Sequence, residues 1–242
     1  MSDRDRGRGG ALDSAARSAL ALGPMTDIPA AAAAPAAPDP TAARMAHHPV
    51  DPIFTRRWSP RAFDRSVIPD ADLLTIFEAA RWAPSAFNFQ PWRFLYARRE
   101  SADWDRFLAC LIPWNQSWAQ NASVLIYICS DTLIETKPGR AEPAHTHSFD
   151  AGAAWASLAL QATKMGWHAH GMAGVEWDKV RAELKVPERF RVDAACVIGK
   201  AGPVEILDEK LRAREFPSDR RPLGESFFAG DFPADPPESS RT

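Results

Sequence analysis

This 242-residue sequence has few cysteines and no long apolar run. Its three cysteines, Cys110, Cys129 and Cys196, are odd in number and form no C-x-x-C pair, which argues against a disulfide framework and a zinc module. No uncharged apolar stretch approaches the roughly 20 residues that a transmembrane helix needs. The 29 Lys and Arg nearly balance the 31 Asp and Glu, so no broad basic field attracts nucleic acid or anionic lipid. We expect a cytoplasmic protein that binds neither nucleic acid nor membranes.

Aromatic residues are absent from the N-terminal part of the chain, residues 1–49, which is rich in Ala and Pro. With so little apolar area to offset the entropy of ordering, we expect a disordered leader there. Acidic residues among the early arginines disfavour a targeting peptide; a true start at Met25 or Met45 is a further alternative. All nine tryptophans lie between Trp58 and Trp177. We therefore expect a folded domain over residues 50–228 and a flexible C-terminal tail over 229–242.

Hydrophobic periodicity predicts alternating helices and strands in the folded part. The G-x-G-x-x-G signature is absent, so a Rossmann domain is not indicated and a layered α/β or α+β domain is. Turn-forming residues dominate Asp131–His147. The predicted elements are a helix with N-cap Asp70 ending before Pro84, a strand Arg93–Ala97, a helix Ser101–Leu111, a buried strand Val124–Cys129, a helix Asp150–Met165 followed by Gly166, a strand Trp167–Met172, a helix Asp178–Lys185 and a strand Ala194–Lys200.

A short basic segment opens the predicted domain. In an extended chain, Arg57, Ser59 and Arg61 point to the same side, because side-chain direction repeats every two residues. Two guanidinium groups on either side of a hydroxyl make a good receptor for a phosphate. The alternative is a solvated basic strip without a ligand.

A second segment, Ala83–Arg93, links the first helix to the first strand and reads Ala-Pro-Ser-Ala-Phe-Asn-Phe-Gln-Pro-Trp-Arg. Such a loop can present amide groups and an aromatic wall to a planar ligand. The alternative is a rigid connector, which Pro84 and Pro91 also explain.

Together the two segments resemble the nitroreductase family of flavin enzymes, which carries Arg-x-Ser-x-Arg/Lys-x-Phe followed by Ala-Pro-Ser-x-x-Asn-x-Gln-Pro-Trp. The resemblance covers roughly Pro52 to Phe228. It implies an α+β class, a three-layer fold with a central mixed, largely antiparallel sheet flanked by helices, in an intertwined homodimer. The small residues from Ala151 to Ala156 agree with close helix pairing in such a dimer, and we expect the chain after Gly202 to reach across the partner.

The same resemblance assigns FMN-binding roles farther along the chain. Asn115 would meet the pyrimidine edge of the flavin, and the backbone of Ala173 and Gly174 would approach its N5 and O4 atoms. Ala173 stands where a Glu is often found, which leaves only backbone donors for N5. The full expected cofactor-binding set is Arg57, Trp58, Ser59, Arg61, Pro84, Ser85, Asn88, Gln90, Asn115, Gly171, Met172, Ala173, Gly174, Arg220 and Arg221.

By resemblance the chain is an FMN-dependent oxidoreductase that uses NADH or NADPH in a ping-pong cycle. The flavin carries the redox chemistry, so no acid or base side chain is required, and the expected acceptor is a small electron-poor nitroaromatic or quinone. The alternatives are a specialised member of the superfamily, such as a dehalogenase or a flavin-consuming enzyme, and a non-enzymatic protein that binds or stores FMN.

Two other signals carry less weight. The pairs His145/His147 and His168/His170 have no Cys or carboxylate at ligand spacing, so we expect no metal. Ser59 and Ser85 lack a G-x-S-x-G turn, which disfavours a hydrolase nucleophile.

Overall fold

The computed structural model describes residues 41–42 and 44–234. Most of the predicted leader and the end of the predicted tail therefore lie outside the described residues. The helices are α1 Pro52–Arg56, α2 Asp70–Arg81, α3 Trp104–Leu108, α4 Pro113–Ala119, α5 His147–Lys164, α6 Trp177–Glu183 and α7 Glu209–Arg212, and the strands are β1 Trp92–Arg98, β2 Val124–Asp131, β3 Leu133–Lys137, β4 Arg140–Pro143, β5 His168–Met172 and β6 Phe190–Gly199. Short 3-10 turns cover Ala86–Asn88, Val204–Ile206 and Leu223–Glu225.

The central sheet has four strands in the order β1-β2-β6-β5. Each of its strand pairs is antiparallel, so the part of the sheet that the model describes contains no parallel pairing. Every residue of β2 is buried, as its continuous apolar sequence predicts for a central strand.

Alternate residues of β2 face two different cores, which makes the domain three layers deep. Val124, Ile126 and Ile128 pack with α2 and α5, whereas Leu125 and Tyr127 pack with α3, α4, α6 and α7. The period of two along the strand therefore sends each apolar side chain to a helical layer. This architecture confirms the predicted α+β class and its helix-flanked sheet.

Several predicted element boundaries are wrong. Asp70 is the first helical residue of α2 and Pro69 is the N-cap, so the Asp70 side chain does not cap the helix. The predicted helix Ser101–Leu111 is helical only over Trp104–Leu108, because Ser101 instead bonds back to the Arg98 carbonyl in a turn.

The Asp131–His147 region contains a hairpin that its turn-forming composition did not predict. Strands β3 and β4 pair around Pro138 and Gly139, and Gly139 adopts φ +77°, a conformation that glycine reaches at low cost. The Pro-Gly pair was the available sequence signal for this turn.

The long helix α5 begins at His147, three residues before its predicted start. Gly166 has φ +76° beyond its end, as predicted for the residue that terminates a helix. Over residues 41–42 and 44–234, no helix is both long and apolar enough to cross a membrane.

Candidate functional site

The basic segment after α1 lies on one wall of a large cavity. Trp58 and Pro60 are buried, while Arg57, Ser59 and Arg61 are partly exposed, so the predicted alternation is present. Arg57 Nη1 donates to Ser59 Oγ at 3.3 Å. The cavity has a volume of about 1550 Å³ and is lined mainly by Arg44, Arg57, Trp58, Ser59, Arg61, His170, Arg214 and residues 216–223 and 225–227.

The C-terminal arm, residues 213–228, forms the opposite wall of this cavity. A single Glu215 carboxylate oxygen accepts hydrogen bonds from the backbone N–H groups of Arg61 and Ala62, at 2.6 and 2.8 Å. Arg220 and Arg221 therefore lie across the cavity from Arg57, although more than 150 residues separate the two segments. We refer to this space as the arginine pocket.

The arm is attached to its own subunit before it reaches this wall. Leu207 and Leu211 are buried in the core of the same chain, and Glu215 binds the first wall of the pocket. These contacts hold the segment against its own domain as far as Glu215, and the expectation that the chain after Gly202 reaches across a partner stays a prediction.

Burial and mutual repulsion act on the arginines of the pocket. The pKa of Arg57 is lowered by burial first, and then by the positive charges of Arg220 and Arg44. Burial also lowers the pKa of Arg61, although the neighbouring Glu215 carboxylate opposes this. Like charges this close raise the free energy of the folded chain, and an anionic ligand would relieve that cost.

His170 also lines the pocket, although it is not in the expected cofactor-binding set. Its Nδ1 donates to the Pro60 carbonyl at 2.8 Å, and its ring lies 4.6 Å from that of Trp118. Burial lowers the pKa of His170 to about 4, with the positive charges of Arg61 and Arg57 acting in the same direction. The side chain is therefore neutral at pH 7.

The loop between α2 and β1 carries Pro84, Ser85, Asn88 and Gln90, and none of these lines the arginine pocket. Its backbone adopts φ between 52° and 54° at Phe87, Asn88 and Gln90. Three non-glycine residues in this region within four positions store strain, which is typical of functional loops. This observation disfavours a plain connector. We call residues 84–90 the strained loop.

Hydrogen bonds maintain the strained loop in this conformation. Ser85 Oγ accepts from the Gln90 N–H at 2.9 Å, and Gln90 Nε2 donates to the Asn88 carbonyl at 3.0 Å. The buried carboxylate of Asp150, in the first turn of α5, accepts from the Ala86 N–H at 3.2 Å. The apolar Phe87 side chain is 94% exposed at the tip.

The last predicted group lies at the end of β5. Asn115 is buried and its Nδ2 donates to the Gly174 carbonyl at 3.0 Å. A Cβ atom on Gly174 would lie 2.5 Å from Asn115 Nδ2, so glycine is required for this approach. Met172 is buried, whereas Gly171 and Ala173 are exposed. Gly171 directly follows His170, which connects this group to the arginine pocket.

Sequence reasoning missed several residues that line the pocket, among them Arg44, Arg214 and Phe216. Arg44 lies within the predicted leader, and Arg214 and Phe216 lie in the arm before Arg220. No local motif marks them, since tertiary contacts alone bring them to the pocket.

The remaining histidine and cysteine residues form no recognisable metal site. Among the residues that the model describes, no group of three or more His, Cys, Asp or Glu is placed to hold a metal ion. Cys110, Cys129 and Cys196 are free and buried, and burial raises the pKa of Cys129 to about 12. Cys129 and Cys196 pack as small apolar side chains in their strands.

Comparison with known proteins decides the family. Residues 54–113 match the model of the nitroreductase family. A solved structure described as an oxidoreductase containing FMN is 49% identical, with a TM-score of 0.77, and the match covers 79% of this chain and 97% of that one. The chain belongs to the nitroreductase family.

Two other members of the nitroreductase family illustrate its range. A putative nitroreductase from Desulfovibrio desulfuricans, solved in complex with FMN, is 25% identical with a TM-score of 0.57, over 76% of this chain and all of that one. A putative NADH dehydrogenase/NAD(P)H nitroreductase from Archaeoglobus fulgidus is 36% identical over 89 residues, which are 36% of this chain and 47% of that protein. The strained loop lies inside the segment that matches the family model, whereas Arg44 and the C-terminal arm lie outside it.

Proposed function

We propose that this chain is an FMN-dependent oxidoreductase that transfers hydride from NADH or NADPH to an electron-poor acceptor, such as a nitroaromatic or a quinone, in a ping-pong cycle. The observation that carries the proposal is the arginine pocket, which is built from both ends of a nitroreductase-family domain. Relatives whose descriptions name FMN and NAD(P)H support it.

The chemistry of the pocket fits the phosphate of FMN. That group is a dianion, and Arg57, Arg61 and Arg220 offer the cationic forks that phosphate oxygens prefer. Ser59 adds a hydroxyl beside Arg57. His170 is neutral, so it adds no charge of its own. These residues would hold the phosphate and lower the repulsion among the arginines.

The other expected residues would surround the ribityl chain and the ring. Asn88, Gln90 and Asn115 would offer amides to polar ring edges, and Gly171 to Gly174 would offer backbone N–H groups. When bound, FMN would supply hydride acceptance and donation at its N5 atom. The chain's own residues would orient the ring, neutralise charge and limit the access of water.

We propose that the active form is a homodimer with FMN at the interface. The strained loop does not line the arginine pocket of its own chain, so a second copy is a natural source of the missing contacts. On α5, Phe149 is 80% exposed, and the exposed small residues Gly152 and Ala156 lie on the same face. This face offers a second copy a close, apolar contact.

The remaining features of the proposal concern location and domain limits. The three free cysteines agree with a reducing cytoplasm. We keep residues 50–228 as the flavin-binding domain, with 1–49 and 229–242 as its flanking segments, and we assign no role in binding nucleic acid, membrane or metal.

A visible absorption spectrum of the purified protein, with phosphate analysis of the released chromophore, tests the cofactor. We expect a flavin spectrum and a chromophore with one phosphate. Addition of NADH or NADPH without oxygen should bleach the spectrum, and a quinone or nitroaromatic should restore it. Bound flavin that neither nicotinamide reduces would contradict the enzymatic proposal and support the FMN-binding alternative.

A further inference from the structure

Arg44 connects three segments that are far apart in the sequence. Its Nη1 donates to the carbonyls of Thr55 and Arg57, each at 2.9 Å. Its Nε donates to the Ser218 carbonyl at 2.8 Å, and its Nη2 donates to the same oxygen. Hydrogen bonds from this one guanidinium group thus tie the segment before α1 to the end of α1 and to the C-terminal arm.

The acceptor on the arm is shared with a second arginine. Arg220 Nη1 donates to the Ser218 carbonyl at 3.3 Å and to the Asp219 carbonyl at 3.0 Å. Because Arg44 holds the Ser218 carbonyl, it also determines where the Arg220 guanidinium lies. Burial lowers the pKa of Arg44, and the charge of Arg220 lowers it further, which agrees with the closeness of the two groups.

Arg44 stabilises a position of the arm in which positive charges repel one another. The arm carries Arg214, Arg220 and Arg221 towards a wall that already contains Arg57 and Arg61, and repulsion favours an open arm. Four hydrogen bonds from a planar fork to carbonyl oxygens offset this repulsion, because charged donors form strong bonds to such acceptors.

From these contacts we infer that Arg44 is a positioning residue that clamps the C-terminal arm over the arginine pocket and so sets the affinity for a phosphate-bearing flavin. The inference rests on the proposed function for the identity of the ligand. The clamp itself, between Arg44 and Ser218, is a property of the chain alone and can be measured without flavin.

The first experiment measures the dissociation constants of FMN and riboflavin with the full chain, by quenching of flavin fluorescence. Riboflavin has the same ring and ribityl chain but no phosphate. For Arg44→Ala we expect FMN to bind about tenfold more weakly, a difference of about 1.4 kcal/mol, and riboflavin to bind as in the wild type. Equal losses for both ligands, or no loss for FMN, would overturn the inference.

Two further variants separate the clamp from simple charge. Arg44→Lys keeps the positive charge but lacks the planar fork, so we expect it to resemble Arg44→Ala. Wild-type affinity for FMN in Arg44→Lys would overturn the clamp in favour of charge alone. Arg56→Ala is the matched control: it removes an exposed arginine of α1 that does not line the pocket, and FMN affinity should stay unchanged.

Hydrogen–deuterium exchange of the full chain without flavin tests the clamp independently. We expect Arg44→Ala to raise exchange in peptides covering residues 216–228 and to leave those of β2 and β6 unchanged. Unchanged exchange in the arm would refute the clamp even if FMN binds. If wild-type protein binds no FMN but the arm loosens as expected, the proposed function fails and the clamp stands.

Discussion

At the scale of single residues, His170 shows how the pocket uses a titratable group without using its charge. Its Nδ1–H bonds to the Pro60 carbonyl, so the neutral tautomer has a fixed orientation. Burial and two nearby arginines disfavour the imidazolium. The side chain therefore supports the segment Arg57–Arg61 through the Pro60 carbonyl without adding a further positive charge to the six arginines that line the pocket.

This environment makes the stability of the protein depend on pH. The pKa of His170 is about 4 in the folded state against an ordinary value of 6.5, so the unfolded chain binds the proton more tightly. Stability is fully present above pH 6.5 and decreases as the pH falls towards 4. Linkage predicts a loss of about 2 kcal/mol at pH 5. Urea unfolding of flavin-free protein at pH 7 and pH 5 measures it.

The matched variant for this prediction is His170→Asn, which keeps an N–H donor for Pro60 but does not titrate. We expect its loss of stability between pH 7 and pH 5 to be smaller than that of the wild type by about 2 kcal/mol. Parallel losses in both proteins would show that His170 is not the group responsible.

At the scale of elements, the strained loop and α5 depend on one buried carboxylate. Asp150 accepts from the Ala86 N–H and from Thr146 Oγ1, each at 3.2 Å. The loop needs such an anchor, because three positive φ angles oppose its conformation. The start of α5 thus holds the loop by the backbone N–H of Ala86 rather than by a side chain of the loop.

Replacing this anchor should loosen the loop more than the domain. Asp150→Ala leaves the partly buried Ala86 N–H without its acceptor, which costs about 1 kcal/mol. We expect lower thermal stability and faster hydrogen–deuterium exchange in residues 84–90. Asp178→Ala, at an exposed position in the first turn of α6, is the control. A loop that exchanges at the wild-type rate in Asp150→Ala would show that other contacts hold it.

At the scale of the whole molecule, a substitution on the exposed face of α5 distinguishes a monomer from the proposed dimer. Ala156→Glu places a charge on a surface that is solvated in a monomer but desolvated between paired helices. We expect sedimentation velocity to show a shift towards monomer, together with loss of bound flavin. Ala71→Glu, at an exposed site on α2, should leave both unchanged. A dimer that persists in Ala156→Glu would place the interface elsewhere.

Much of the fold was predictable because its determinants are local. The continuous apolar run of β2 identifies a strand that is buried on both faces, and the spacing along α2 identifies a buried face. The β3–β4 hairpin was missed because its exposed polar strands contain no such apolar run, and Ser101 was misjudged because a hydroxyl serves equally well in a turn. Arg57, Ser59 and Arg61 were predicted to lie together for the same reason, since they share one short recognisable segment.

By itself the sequence predicted most helices and strands, the position of the strained loop and the arginines of the basic segment, because these depend on neighbours within a few residues. Only the tertiary structure decided that Arg44 meets Ser218, 174 positions away, and that His170 lies neutral behind the pocket. No periodicity encodes such contacts. They arise when segments from either side of the sheet-forming part of the chain converge on one surface, where burial and repulsion act on charges that are remote in sequence.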